Sequence, residues 1–115
     1  MATTIDDERL DAVFAALADH TRRDIVARLS EGEATVTDLA APHAMSLQAV
    51  SQHIGVLERC GLVSRSRQGQ TRPCRLEPQA LETAVSWIEE SRRAWTERMD
   101  RLDAHLSRLQ DGQQR

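Results

Sequence analysis

Apolar residues recur along this chain at helical spacing, interrupted once by a short stretch that fits strands. Leu10, Val13, Phe14 and Leu17 stand at i, i+3, i+4 and i+7, which predicts a helix over 7–18. Thr21-Arg-Arg-Asp24 reads as a capping box, opening a helix that presents Ile25, Val26 and Leu29 and stops at Gly32. Thr35-Val-Thr-Asp38 repeats the pattern ahead of a short helix around Leu39, which Pro42 ends. Ser46 is the next good N-cap, and a helix over about 46–60 follows, with Gly61 at its C-terminal end. Residues 62–67 and 72–76 flank Gln68-Gly-Gln-Thr71, a hairpin with glycine in the turn, and Pro73 confines its second strand to an edge. A proline at a helix start, Pro78, then opens a long helix over about 78–109, followed by a frayed tail over 110–115.

This order (helix, helix, short helix, turn, helix, hairpin, long helix) predicts one mainly helical domain over 1–109 with a small β-hairpin. A short helix, a tight turn and a longer helix make a helix-turn-helix, and the hairpin at 62–76 makes its wing. A chain of 115 residues has room for one modest core and none for a separate catalytic domain. The sequence also shows no nucleophile with a spaced base, no glycine-rich phosphate loop and no paired carboxylates suited to catalysis.

Charge sharpens this picture. The formal net charge is −3, yet residues 42–77 carry a net +3 against −5 for residues 1–41 and −1 for residues 78–115. The basic block coincides with the second helix of the motif and the hairpin, so contact with a polyanion belongs there. No apolar run approaches the ~20 residues of a membrane span. The N-terminal segment Met1-Ala-Thr-Thr-Ile-Asp-Asp-Glu8 lacks the pattern of a signal peptide. The expected location is the cytoplasm, away from membranes.

On the helix over 46–60, a step of 100° per residue gathers Leu47, Val50, Ile54 and Leu57 on one buried face. The opposite face centres on Gln48, Gln52, Gly55 and Arg59, with Ala49, Ser51 and Val56 flanking it. Ordinary solvated faces are rich in Glu and Lys, whereas residues 46–57 carry no charge. Gln pairs bidentately with adenine, small residues allow close approach, and Arg suits phosphate or guanine. A glycine inside a helix costs about 1 kcal/mol relative to alanine, so Gly55 implies a close approach such as that of a phosphate backbone. On the hairpin, Arg65, Arg67, Arg72 and Arg75, with Gln70 at the tip, suit a phosphate backbone or minor groove. These features favour double-stranded DNA as partner over a rival reading, a winged-helix module that binds only proteins.

The segments Leu17-Ala-Asp-His-Thr-Arg-Arg-Asp-Ile25 and 39–63, with the core Ala-Val-Ser-x-His-hydrophobic-x-x-Leu, the following Gly-Leu-Val and an arginine wing, strongly resemble the ArsR family of winged-helix repressors. The resemblance implies a homodimer that binds a palindromic operator beside its own gene, represses it, and loses affinity when an effector binds. It places Ser46, Gln48, Ala49, Ser51, Gln52 and His53 on the DNA-reading helix and Arg65, Arg67 and Arg72 on the wing. Gln52 and Gly55 stand where relatives often carry Lys or Arg, so the wing must supply more of the phosphate contact. His43 takes a position often filled by a buried aromatic residue or leucine, and reads as a partly buried structural imidazole.

Metal positions known in the family are vacant. Thr35-Val-Thr37 replaces a Cys-Val-Cys pair, and hydroxyls do not substitute for thiolates with soft ions. Asp103-Ala-His105 mimics half of a second type of site without its partner half. No metal and no cofactor is expected, and the effector is unknown. Cys60 and Cys74 are too few for a disulfide framework. If close in space they form a possible redox switch acting on the DNA-reading helix, against the simpler reading of two buried thiols.

The last helix carries Trp95, Met99, Leu102, Leu106 and Leu109 at alternating steps of four and three, a heptad seam. Leu81, Val85 and Ile88 continue it, and Trp87 adds bulk. One small core cannot cover all of this. The expected homodimer interface therefore uses Trp87, Ile88, Trp95, Met99, Leu102 and Leu106, together with Leu10, Val13 and Leu17 of the first helix.

Overall fold

The second, third and fourth helices of this chain start where a side-chain oxygen takes an orphan backbone N–H. This is seen in the computed structural model, which describes residues 5–67 and 69–113. The elements are α1 (Ile5–Leu17), α2 (His20–Leu29), α3 (Val36–Ala40), α4 (Leu47–Arg59), β1 (Val63–Arg65), β2 (Cys74–Leu76) and α5 (Pro78–Gln113). The class read from the sequence holds: a mainly helical winged helix-turn-helix with one small hairpin and a long C-terminal helix.

The start of α2 differs from the predicted one. Its N-cap is Asp19, whose carboxylate accepts the Arg22 N–H at 3.1 Å, so the helix opens two residues ahead of Thr21. A carboxylate at an N-terminus gains from the helix dipole where a hydroxyl does not. Asp24, read as the closing half of a box, instead lies 3.2 Å from His20 Nε2. The box at α3 forms as predicted, with Asp38 N–H donating to Thr35 Oγ1 at 3.2 Å and Thr35 N–H to Asp38 Oδ2 at 3.3 Å. Ser46 caps α4 by accepting the Ala49 N–H at 3.1 Å. At the other end Gly61, at φ +86°, donates to Glu58 O and Leu62 donates to Leu57 O, which closes α4 in a Schellman motif.

The wing strands are shorter than predicted, and pair Val63 with Leu76, Ser64 with Arg75 and Arg65 with Cys74. Nor is β2 a simple edge: Cys74 N–H donates to Ala34 O at 2.7 Å and Ala34 N–H to Cys74 O at 3.1 Å. Pro73 sits just before β2, where its missing N–H breaks no bond and its carbonyl accepts from Ser66. This bracketing leaves Cys74 fully buried beside Val50, Ile54, Leu57 and Leu62 in one core cluster.

The chain divides into two compact units, Met1–Ala84 and Val85–Arg115, where the sequence suggested one domain over 1–109. The boundary falls inside α5 because every buried apolar side chain among the described residues belongs to Ala84 or an earlier position. Helix α5 continues past the end predicted at Leu109, and Gly112 lacks the positive φ with which Gly61 ends α4. Gln68 of the predicted turn and positions 114–115 of the predicted tail lie outside the described residues. Among those residues no helix is long and apolar enough to cross a membrane.

Candidate nucleic-acid interface

Helix α3, the turn after it and α4 form the helix-turn-helix. Val50, Ile54 and Leu57 face the core at 0% exposure, but Leu47, read as a fourth member of that face, is 54% exposed. Periodicity fixes the direction of a side chain, not how far along a helix the core extends, and Leu47 lies in the first turn, beyond it. Gln48, Gln52, Arg59 and the cap Ser46 are exposed, and Ala49 is half-buried. A methyl group added at Gly55 would lie 3.3 Å from Arg59 Nη1. The group nearest that position is thus the flexible end of Arg59, one turn further along α4.

Three residues assigned to DNA from the sequence are engaged in the protein instead. His53 is 24% exposed, with Nδ1 3.3 Å from Arg22 Nη1 and 3.8 Å from Asp19 Oδ2. Arg65 is 20% exposed, with Nε 3.0 Å from Glu58 Oε1, and its Nη2 donates to Ser51 Oγ at 3.3 Å. Arg65 thus ties β1 to α4 rather than presenting its charge outward, and Ser51 is the acceptor of that tie. A partly buried guanidinium needs such partners to offset its desolvation.

Arg22 is the residue that sequence reasoning missed. Its Nε donates to Ala16 O at 2.6 Å and its Nη2 to Ala15 O at 3.3 Å, while Nη1 reaches His53. One guanidinium thereby joins the end of α1, the start of α2 and α4. The available signal was its place three residues before Ile25, on the flank of a buried stripe. Asp19 beside it is held below the ordinary carboxylate range, first by the Arg22 backbone N–H and then by the charges of His53 and Arg22.

On the wing, Arg67, Gln70 and Arg72 are exposed. Arg72 takes φ +40°, a left-handed conformation unusual for a side-chain-bearing residue, and its Nε donates to Ser66 O at 3.4 Å. Arg75 pairs with Glu77 at 3.1 Å, and Glu77 also accepts from Ser64 Oγ at 2.6 Å. These bonds, Ser64's first, hold the Glu77 carboxyl below its usual range.

Both cysteines are free. Burial pushes the Cys74 thiol up, and Cys60 Sγ donates to Leu57 O at 3.3 Å. A switch that needs both thiolates is disfavoured by this burial. In the native protein Ellman's reagent should titrate Cys60 alone, with Cys74 reacting only after unfolding; prompt reaction of both would contradict the packing.

Val13, assigned to a subunit interface, is 2% exposed in the core, so it has no surface to offer a second chain; Leu10 and Leu17 pack partly against that core. On α5, Trp87, Ile88, Trp95, Leu102 and Leu106 are 46–59% exposed, and Met99 is less so. No group of three His, Cys, Asp or Glu side chains that could hold a metal occurs among the described residues.

A family model for a helix-turn-helix domain matches residues 17–65. The transcriptional repressor SdpR of Bacillus subtilis is 30% identical over 79 residues, 69% of this chain and 88% of that protein. Among solved structures, the ArsR family transcriptional regulator RHA00566 is 39% identical, with a TM-score of 0.72 over 76% of this chain and 97% of that one. The homodimeric winged helix-turn-helix DNA-binding domain of Mb0332 from Mycobacterium bovis, a possible ArsR-family regulator, is 27% identical, with a TM-score of 0.60 over 82% and 94%.

Proposed function

Because this chain belongs to the ArsR-type winged helix-turn-helix transcriptional regulators, a family that binds DNA and is not enzymatic, we propose that it is a homodimeric repressor of its own gene, acting on a palindromic operator. The observation that carries the reading is the pairing of two surfaces. One is the uncharged, exposed Gln48 and Gln52 of α4; the other is the exposed Arg67, Gln70 and Arg72 of the wing. Amide side chains read base edges in the major groove, and arginines on a hairpin tip neutralise phosphates. Arg59, exposed at the far end of α4, suits a phosphate as well. Repression agrees with the name of SdpR, and dimerisation with Mb0332.

The interface proposed between subunits is the face of α5 bearing Ile88, Trp95, Met99, Leu102 and Leu106, with Trp87 beside it. Two half-exposed tryptophans and a leucine seam favour association with a second copy. A dimer would offer two α4 helices to two half-sites related by a two-fold axis, hence the palindrome. The site of action is the cytoplasm, where the chromosome lies, and the mechanism needs no cofactor. Selection from a pool of random duplexes should enrich a palindrome. Against that duplex Gln48→Ala should lose about 1–3 kcal/mol of base preference at one position per half-site, whereas Arg67→Ala should weaken all sequences alike and reduce the salt slope by about one. Failure to enrich any sequence would overturn the proposal.

A further inference from the structure

Nine large hydrophobic side chains are exposed among the described residues. Seven lie on α5 between Val85 and Leu109, and the other two, Met45 and Leu47, flank the N-cap Ser46 of the DNA-reading helix. A scattered exposed leucine is ordinary, but this one has a specific setting. Leu47 opens the first turn of the second helix of a helix-turn-helix, the part aimed at base edges. Its chain neighbour is the exposed Gln48, and one turn on stands Ser51, held by Arg65. Apart from His53, whose ring lies against Asp19 and Arg22, no ionisable side chain occurs from 46 to 57 to draw a phosphate there. The group in the major groove that rewards an apolar side chain is the C5-methyl of thymine.

We propose that Leu47 is a specificity-determining residue, packing on a thymine methyl in each half-site of the operator. This rests on the DNA-binding reading above. Met45, outside the helix, is the competing candidate for the same methyl, and the test separates the two.

The probe is the duplex enriched from a random pool, with each thymine replaced in turn by deoxyuridine, which keeps the base-pairing edge and removes only the methyl. One methyl buried per half-site predicts that the wild-type chain binds the uracil duplex roughly fourfold less tightly at one position of each half-site. Leu47→Ala and Leu47→Gln should bind the thymine and uracil duplexes equally while melting at the wild-type temperature, since the side chain is outside the core. Met45→Ala should keep the fourfold ratio. The proposal is overturned if no methyl matters to the wild type, if both Leu47 variants retain its discrimination, or if Met45→Ala abolishes it. In each of those cases sequence-specific binding persists, so the DNA-binding reading survives; a pool that enriches nothing overturns both.

Discussion

Replacing Trp95 and Leu102 together by glutamate is expected to convert the protein from a dimer to a monomer in sedimentation equilibrium and to weaken operator binding at least hundredfold. Both side chains stand on one face of α5 at about half exposure, so glutamate is tolerated in an isolated chain but not between two apolar seams. The size of the binding effect comes from linkage: once one half-site is bound, the second recognition helix is presented at high effective concentration, an advantage of roughly 10²–10⁴. The winged helix itself should survive, because every buried apolar side chain among the described residues lies at or before Ala84. A melt that stays cooperative but whose midpoint no longer depends on protein concentration, alongside lost dimerisation, is the predicted pair of results. A variant that stays dimeric would show that the interface lies elsewhere.

The second large effect is expected from Arg22→Met, which keeps much of the aliphatic stem and removes the guanidinium. Three contacts are lost at once: the hydrogen bonds donated to the carbonyls of Ala15 and Ala16 and the approach to the His53 ring. Hydrogen bonds from a charged donor contribute about 1.5–3 kcal/mol. The variant should therefore lose about 2 kcal/mol and melt roughly 10 °C lower. Operator affinity should fall too, since α4 is held at His53 through this contact. Arg22→Met combined with His53→Ala should cost less than the sum of the two single changes, the mark of a shared interaction. A melting point within about 2 °C of wild type would show that the clamp is not holding these helices together.

The helix order, the capping of α3 and α4, the hairpin and the family were legible in the sequence because each rests on local chemistry: cap oxygens, apolar spacing and a glycine past a helix end. What escaped depended on distant parts of the chain. Whether Arg65 points outward or back is decided by Glu58 and Ser51 on another element, and nothing local to the wing announces that. His53 was assigned to DNA because its motif runs through the reading helix, while its ring answers to Asp19 and Arg22, more than thirty residues away. Val13 was counted toward a second subunit although one chain already buries it. Leu47 failed in the opposite sense: its phase on the helix is right for the core, but the core stops one turn short of it. The proposed site is in consequence smaller than the sequence suggested, resting on the exposed Gln48 and Gln52 of α4 and the exposed Arg67 and Arg72 of the wing.

The central claim, that this chain reads DNA sequence through a neutral helix and gains affinity from an arginine wing, is tested most directly by fluorescence anisotropy of the enriched duplex and a scrambled one across a series of salt concentrations. Affinity for both should fall steeply as salt rises, as phosphate contacts require. The gap between the two duplexes should persist, because Gln48 and Gln52 carry no charge to screen. Binding that is weak, insensitive to salt and equal for the two duplexes would contradict it.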